Sequence, residues 1–119
     1  MHELALANDL LRLIERVATE NGGHPVTRAH LLIGDLTHAE PETLRFAFEV
    51  VTRERPLVRG CELTIERVPI EVRCPACDYA GVLERDHFAC PRCDGVGLSV
   101  VAGRELRLSH IEVEDAVHA

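Results

Sequence analysis

The 119-residue sequence contains no lysine and no tryptophan, and it has one tyrosine and three phenylalanines. With so few rings, the core must be built from aliphatic side chains. A hydrophobic share of 46% supplies enough of them, and a chain this rich in Leu, Val and Ile is not disordered. All thirteen basic residues are arginines, set against twenty acidic ones, for a net charge of −7. That balance argues against non-specific binding to nucleic acid or to an anionic membrane, and suits a protein partner or a cation. No apolar run is long enough to span a bilayer. No basic segment followed by an apolar one opens the chain, so no secretory signal is expected. These absences predict a cytoplasmic protein of one domain, or of one domain plus a small lobe. In that compartment five cysteines read as metal ligands or free thiols rather than as a disulfide framework.

What is present has clear periodicity. Residues 3–21 place Leu6, Leu10, Leu13, Ile14 and Val17 on one helical stripe, with Arg12, Glu15, Arg16 and Glu20 facing outward. Gly22-Gly23 is the expected stop. The run Leu31-Leu32-Ile33 within 26–36 reads as a strand buried on both sides. Pro41 and Glu42 suit the start of a second helix, whose stripe is Leu44, Ala47, Phe48 and Val51 and which Pro56 closes. Residues 61–68 alternate as a half-buried strand. Residues 98–114 hold two further strands around a turn at Ala102-Gly103. Their phase slips before Ile111, so a bulge or an early strand end is expected near His110. The order is helix, strand, helix, strand, insert, strand, strand. We therefore expect an α+β fold, two helices with an antiparallel or mixed sheet (1–69 and 98–119), carrying an inserted zinc-ribbon-like lobe (70–97).

The insert holds Cys74-Pro75-Ala76-Cys77 and Cys90-Pro91-Arg92-Cys93, two C-x-x-C pairs with twelve residues between them. Each pair can form a knuckle that turns two thiolates toward one ion, and Gly95 is expected to help the second turn. Four soft thiolates fit tetrahedral Zn²⁺, with iron in a rubredoxin-like site as the rival. A redox dithiol needs only one pair. A four-thiolate zinc site leaves no open position, so the metal is read as structural, supplying much of the lobe's folding free energy. Cys61 stands apart and reads as a small core residue.

The chain starts Met1-His2-Glu3. Methionine is retained when a bulky residue such as histidine follows. The Met1 amine, the His2 amide nitrogen and the His2 imidazole could then close fused chelate rings around one ion, a nitrogen-rich set that favours Ni²⁺ or Cu²⁺. A fourth ligand would come from Glu3, from Glu40 at the start of the second helix, or from another histidine. From the dipeptide alone, a solvated terminal histidine is the more ordinary reading.

The segments "MHELALA", "IGDL", "AEPETLRFAFE", "CELTIE", "CPACD…CPRCD" and "GRELRL" together resemble the HypA/HybF family of nickel metallochaperones, from residue 1 to about 113. That resemblance implies a non-enzymatic carrier in [NiFe]-hydrogenase maturation, with nickel as cargo. It implies nickel binding at Met1-His2-Glu3 with the His2 imidazole as the essential ligand, and Glu3 and Glu40 as further contributors. It implies structural zinc at Cys74, Cys77, Cys90 and Cys93. The partners implied are the GTPase HypB and the hydrogenase large subunit, with urease maturation assisted by some members and a homodimer left open. In some members the zinc lobe adds a histidine to the nickel site; His87 and His38 are the candidates here. The rival is a zinc-ribbon adaptor binding protein or nucleic acid. Its lobe would want basic residues and aromatics, whereas residues 70–97 hold five acidic and three basic ones. No glycine-rich phosphate loop, open metal site or paired nucleophile and base supports an enzyme.

Overall fold

The structure is a computed structural model that describes residues 2–84 and 88–114, with the side chain of residue 2 outside the described set. The elements run α1 (His2–Glu20), β1 (Val26–Gly34), a 3₁₀ turn (Asp35–Thr37), α2 (Pro41–Thr52), β2 (Glu62–Val68), β3 (Ile70–Arg73), β4 (Ala80–Leu83), β5 (Ser99–Ala102) and β6 (Leu106–Val113). The fold is α+β, as expected, with two three-stranded sheets ordered β2-β1-β6 and β4-β3-β5. The chain divides into two compact units: residues 1–31, 39–65 and 108–119, and residues 32–38 and 66–107.

In the first unit α1 and α2 pack on each other. The buried stripe of α1 is Ala7, Leu10, Leu11, Ile14 and Ala18, while Leu6, Leu13 and Val17 are only half-buried. The apolar face is thus rotated by about one position from the expected one: small alanines let the helix approach its neighbour, and pattern alone favours the larger leucines. Glu15 is not a free outward residue. Its carboxylate accepts from Arg55 Nε and Nη2, at 2.9 Å and 2.6 Å. The helix ends where Gly22 and Gly23 enter positive φ (107° and 72°), and the Gly23 N–H returns to the Ala18 carbonyl at 2.8 Å. In α2, Leu44, Ala47 and Phe48 are buried together with Thr52. The Thr52 hydroxyl donates to the Phe48 carbonyl at 2.8 Å, which is why a hydroxyl is tolerated there. The helix stops at Thr52 and residues 53–54 form a turn, so Pro56 lies beyond the end rather than making it.

Along β1, Arg28, His30 and Leu32 are only half-buried and alternate with buried Ala29, Leu31 and Ile33, so the strand is not apolar on both faces. Arg28 sits between Glu62 of β2 (3.1 Å) and Glu112 of β6 (3.5 Å). The hydrogen bond from His30, with Arg28 nearby, holds the Glu112 carboxyl below its usual range despite some burial. Strand β6 runs unbroken through His110 to Val113, so no early end occurs there. Its half-buried residues, Leu108 and Ile111, are three apart, which is the slip of phase visible in the sequence.

In the second unit, the segment expected as an insert of knuckles contains two strands. Antiparallel β3 and β4 pair Ile70 with Leu83 and Val72 with Gly81, and β5 adds antiparallel to the other edge of β3 with a register shift between Glu71 and Val72. Ile70, Val72 and Leu83 are buried, covered by Leu36, Tyr79, Leu98 and Val100. These strands are only four residues long, too short for alternation to stand out from a loop.

Gly34 and Gly103 allow two backbones of this unit to touch. The Gly34 N–H donates to the Glu105 carbonyl at 2.6 Å, and the Leu36 N–H donates to the Gly103 carbonyl at 2.8 Å. A Cβ on Gly34 would overlap the Gly103 carbonyl; one on Gly103, which has φ 116°, would lie 2.9 Å from the Ile70 Cα. Gly103→Ala should therefore lower stability by at least about 2 kcal/mol, through both strain and overlap. Urea unfolding with a midpoint equal to wild type would contradict this close approach.

Candidate metal centre

Cys74 follows β3 directly and Cys77 precedes β4, so the first knuckle caps the β3–β4 hairpin. The two knuckles share one geometry. The Asp78 N–H donates to the Cys74 carbonyl at 2.7 Å and the Asp94 N–H to the Cys90 carbonyl at 2.8 Å; the Cys74 and Cys90 N–H groups bond the Tyr79 and Gly95 carbonyls, each at 2.8 Å. Asp78 and Asp94 take the left-handed conformation, with φ of 64° and 65°. The turn in the second knuckle is therefore made at Asp94, and Gly95 contributes a carbonyl rather than a special φ. An aspartate after each C-x-x-C was the available signal, since Asp tolerates this region better than most residues.

The four sulfurs lie within 4.8 Å of one another. Cys74 and Cys93 Sγ are 3.7 Å apart, and Cys77 and Cys90 Sγ 3.5 Å. Four ligands at a Zn–S distance of about 2.3 Å in a tetrahedron stand about 3.8 Å apart, so the donor set fits Zn²⁺ in both type and spacing. Cys74 and Cys90 are buried, Cys77 is half-buried and Cys93 is exposed. Burial opposes ionisation of Cys90, but the N–H groups of Cys93 and Arg92, which reach its Sγ at 3.4 Å and 3.3 Å, outweigh it, and the thiol is pushed down to about 7. Cys77 is pushed up to about 12, first by burial and then by its thiol neighbours. A dication bound by the four sulfurs favours their thiolate forms, so metal binding at the cage releases protons. Arg92 ties the knuckles together, donating to the Cys77 carbonyl at 3.4 Å while lying 6.0 Å from the Tyr79 ring centroid. Cys61 is a half-buried single thiol, pushed up to about 11 by burial, and is not part of this cluster.

The other expected residues are placed less fully. Met1, the His2 side chain and His87 lie outside the described residues. Glu3 opens α1, and its carboxylate accepts the Glu40 N–H at 3.1 Å, just before α2. The starts of the two helices therefore meet. His38 is exposed, ends the 3₁₀ turn with φ 59°, and is in neither metal-competent group found among the described residues. The second such group, His30, His110 and Glu112, escaped the sequence reading. The i, i+2 spacing of His110 and Glu112 was visible, but the strand they face was not.

Comparison with known proteins agrees with this architecture. The family model described as hydrogenase/urease nickel incorporation, metallochaperone, hypA matches residues 1–113. The hydrogenase maturation factor HypA of Acidithiobacillus ferrooxidans is 40% identical over 114 residues, covering 96% of this chain and 100% of the relative. That of Chloroflexus aurantiacus is 39% identical, covering 94% and 98%. A solution structure of a HypA protein aligns with a TM-score of 0.67 at 28% identity, covering 96% and 97% of the two chains. The solution structure of the Ni metallochaperone HypA from Helicobacter pylori, at 24% identity and a TM-score of 0.67 over 93% and 96%, shares the fold. A match across nearly the whole length, embracing both the N-terminal Met-His-Glu and the four-cysteine cage, shows that the chain belongs to the HypA family of nickel-incorporation metallochaperones, which are not enzymes.

Proposed function

We propose that this metallochaperone binds Ni²⁺ at its N-terminus and delivers it to the [NiFe]-hydrogenase large subunit in the cytoplasm, in concert with the GTPase HypB. The observation that carries this reading is the family match beginning at residue 1, where Met-His-Glu stands. The nickel ligands in this proposal are the Met1 amine and the amide and imidazole nitrogens of His2, with Glu3 or Glu40 completing the set. The Glu3 carboxylate at the Glu40 N–H supports that choice, because it brings the start of α2 within reach of the start of α1. Nickel is cargo. Zinc, held by Cys74, Cys77, Cys90 and Cys93 in the lobe 70–97, is the resident ion and keeps that lobe folded. A terminal site suits a carrier: it can be reshaped for release without unfolding the core.

The test is X-ray absorption on protein loaded with both metals. Nickel should show a nitrogen and oxygen shell, and zinc a sulfur shell, because soft thiolates retain zinc while nitrogen donors hold nickel. Sulfur-dominated nickel beside nitrogen-dominated zinc would refute the division.

A further inference from the structure

Three polar side chains converge across the first sheet, away from the cysteine cage in sequence and absent from the Met-His-Glu motif. His30 of β1 and His110 of β6 are stacked, with ring centroids 4.0 Å apart and planes at 23°. His30 Nε2 lies 2.8 Å from Glu112 Oε2, and His30 Nδ1 lies 2.6 Å from Thr64 Oγ1 on β2. His110 Nδ1 meets Ser109 Oγ at 3.0 Å. Ligand atoms of His30, His110 and Glu112 all fall within 4.8 Å of one another. We propose that these residues form a second site for nickel-type cations, apart from the N-terminal one, that takes a first-row transition ion such as Ni²⁺ through the two imidazoles and the carboxylate.

Four features support the site. Two imidazoles with one carboxylate are donors that select ions of the Ni²⁺, Cu²⁺ and Zn²⁺ class over Mg²⁺ and Ca²⁺. Two donors bound at right angles, each about 2.1 Å from one ion, stand about 3.0 Å apart. The His30–Glu112 separation is already close to that, so an ion can take the place of the proton they share. Thr64 engages His30 Nδ1 and leaves its Nε2 for the ion, the outer arrangement that orients a ligating histidine. His110 and Glu112, at i and i+2, share one face of a strand, and β1 is the neighbouring strand, so the backbone sets the spacing.

The site is open enough to load. The His30 and Glu112 side chains are 27% and 46% exposed, which leaves room for water to complete the shell. Arg28 contacts Glu112 Oε1 at 3.5 Å but is also held by Glu62, and it leaves Oε2 to the ion. The stacked rings project side by side, so coordination turns the exposed His110 ring toward the ion. The positive Arg28 and that reorientation make the site weaker than a closed cage, in keeping with a holding position rather than a resident metal.

The experiment is Ni²⁺ titration of untagged, zinc-loaded, full-length protein in a His2→Ala background, followed by calorimetry and by NMR of the imidazole resonances. That background removes the terminal chelate, so the result does not depend on it. One residual equivalent should bind, and paramagnetic broadening should reach His30 and His110 first. Adding His110→Gln or Glu112→Gln should weaken this binding at least about tenfold, with far-UV circular dichroism unchanged. Unbroadened His30 and His110 resonances at millimolar Ni²⁺, or a residual isotherm unaffected by either added substitution, would overturn the proposal. If His2→Ala binds nickel as wild type does and the added substitutions abolish it, the second site stands and the terminal one falls.

Discussion

Cys74→Ala and Cys90→Ala should each lose stoichiometric zinc and unfold the sheet β4-β3-β5, while α1 and α2 persist. These two sulfurs are the fully buried members of the cage. Each lies next to the exchange of carbonyl and N–H groups that shapes its knuckle. Among the described residues, the buried hydrophobic cluster of this sheet is Ile70, Val72 and Leu83. At roughly 1.5–3 kcal/mol for each buried side chain, these residues cannot offset the ordering of the strands and both knuckles. Structural zinc contributes on the order of 10–16 kcal/mol to small thiolate domains at neutral pH, enough to decide whether such a lobe folds. Removing one thiolate opens the shell and leaves three donors around an ion that needs four. Elemental analysis should show well under one zinc per chain, and hydrogen exchange should show lost protection at Val72 and Leu83. The first unit has its own buried residues on α1, α2, β1 and β2, so most helical ellipticity should remain. Full zinc retention in both variants would sink the assignment of the cage.

The second large effect concerns nickel. His2→Ala should abolish tight nickel binding and leave zinc and fold intact. Adding a single residue before Met1 should weaken nickel binding strongly as well, although every side chain is still present. The extension moves the α-amine out of place while keeping the imidazole. Fused chelate rings gain from donors held at close quarters and lose that gain when one is displaced, so a drop of about a hundredfold or more is expected. Binding should also weaken as pH falls. The amine and imidazole must be unprotonated, and the amide nitrogen must lose its proton, so every step releases protons that acid restores. Equal affinities for the wild type and the extended chain at neutral pH would show that the amine is not a ligand. An unchanged affinity in His2→Ala would make the terminus an ordinary solvated one.

The sequence by itself determined the elements with a long period and the site with a short spacing. The apolar stripes of α1 and α2, the alternation in β2 and the two C-x-x-C pairs are local, because helix period, strand period and knuckle spacing are properties of a few consecutive residues. The resemblance to the nickel-carrier family rested on such local strings, and the match over residues 1–113 agrees with it. Tertiary structure alone decided what depends on residues far apart in the chain. The face of α1 that is buried follows from which neighbour it meets, so Ala7 and Ala18 are buried while Leu6 and Leu13 are only partly so. The strands β3 and β4 exist because they pair with each other and with β5, and four residues show no pattern without their partners. Gly34 and Gly103 look like ordinary turn glycines until their backbones are brought together. His30 and His110 lie eighty residues apart and meet only because β6 lies beside β1, a pairing set by long-range hydrogen bonds that no local period encodes.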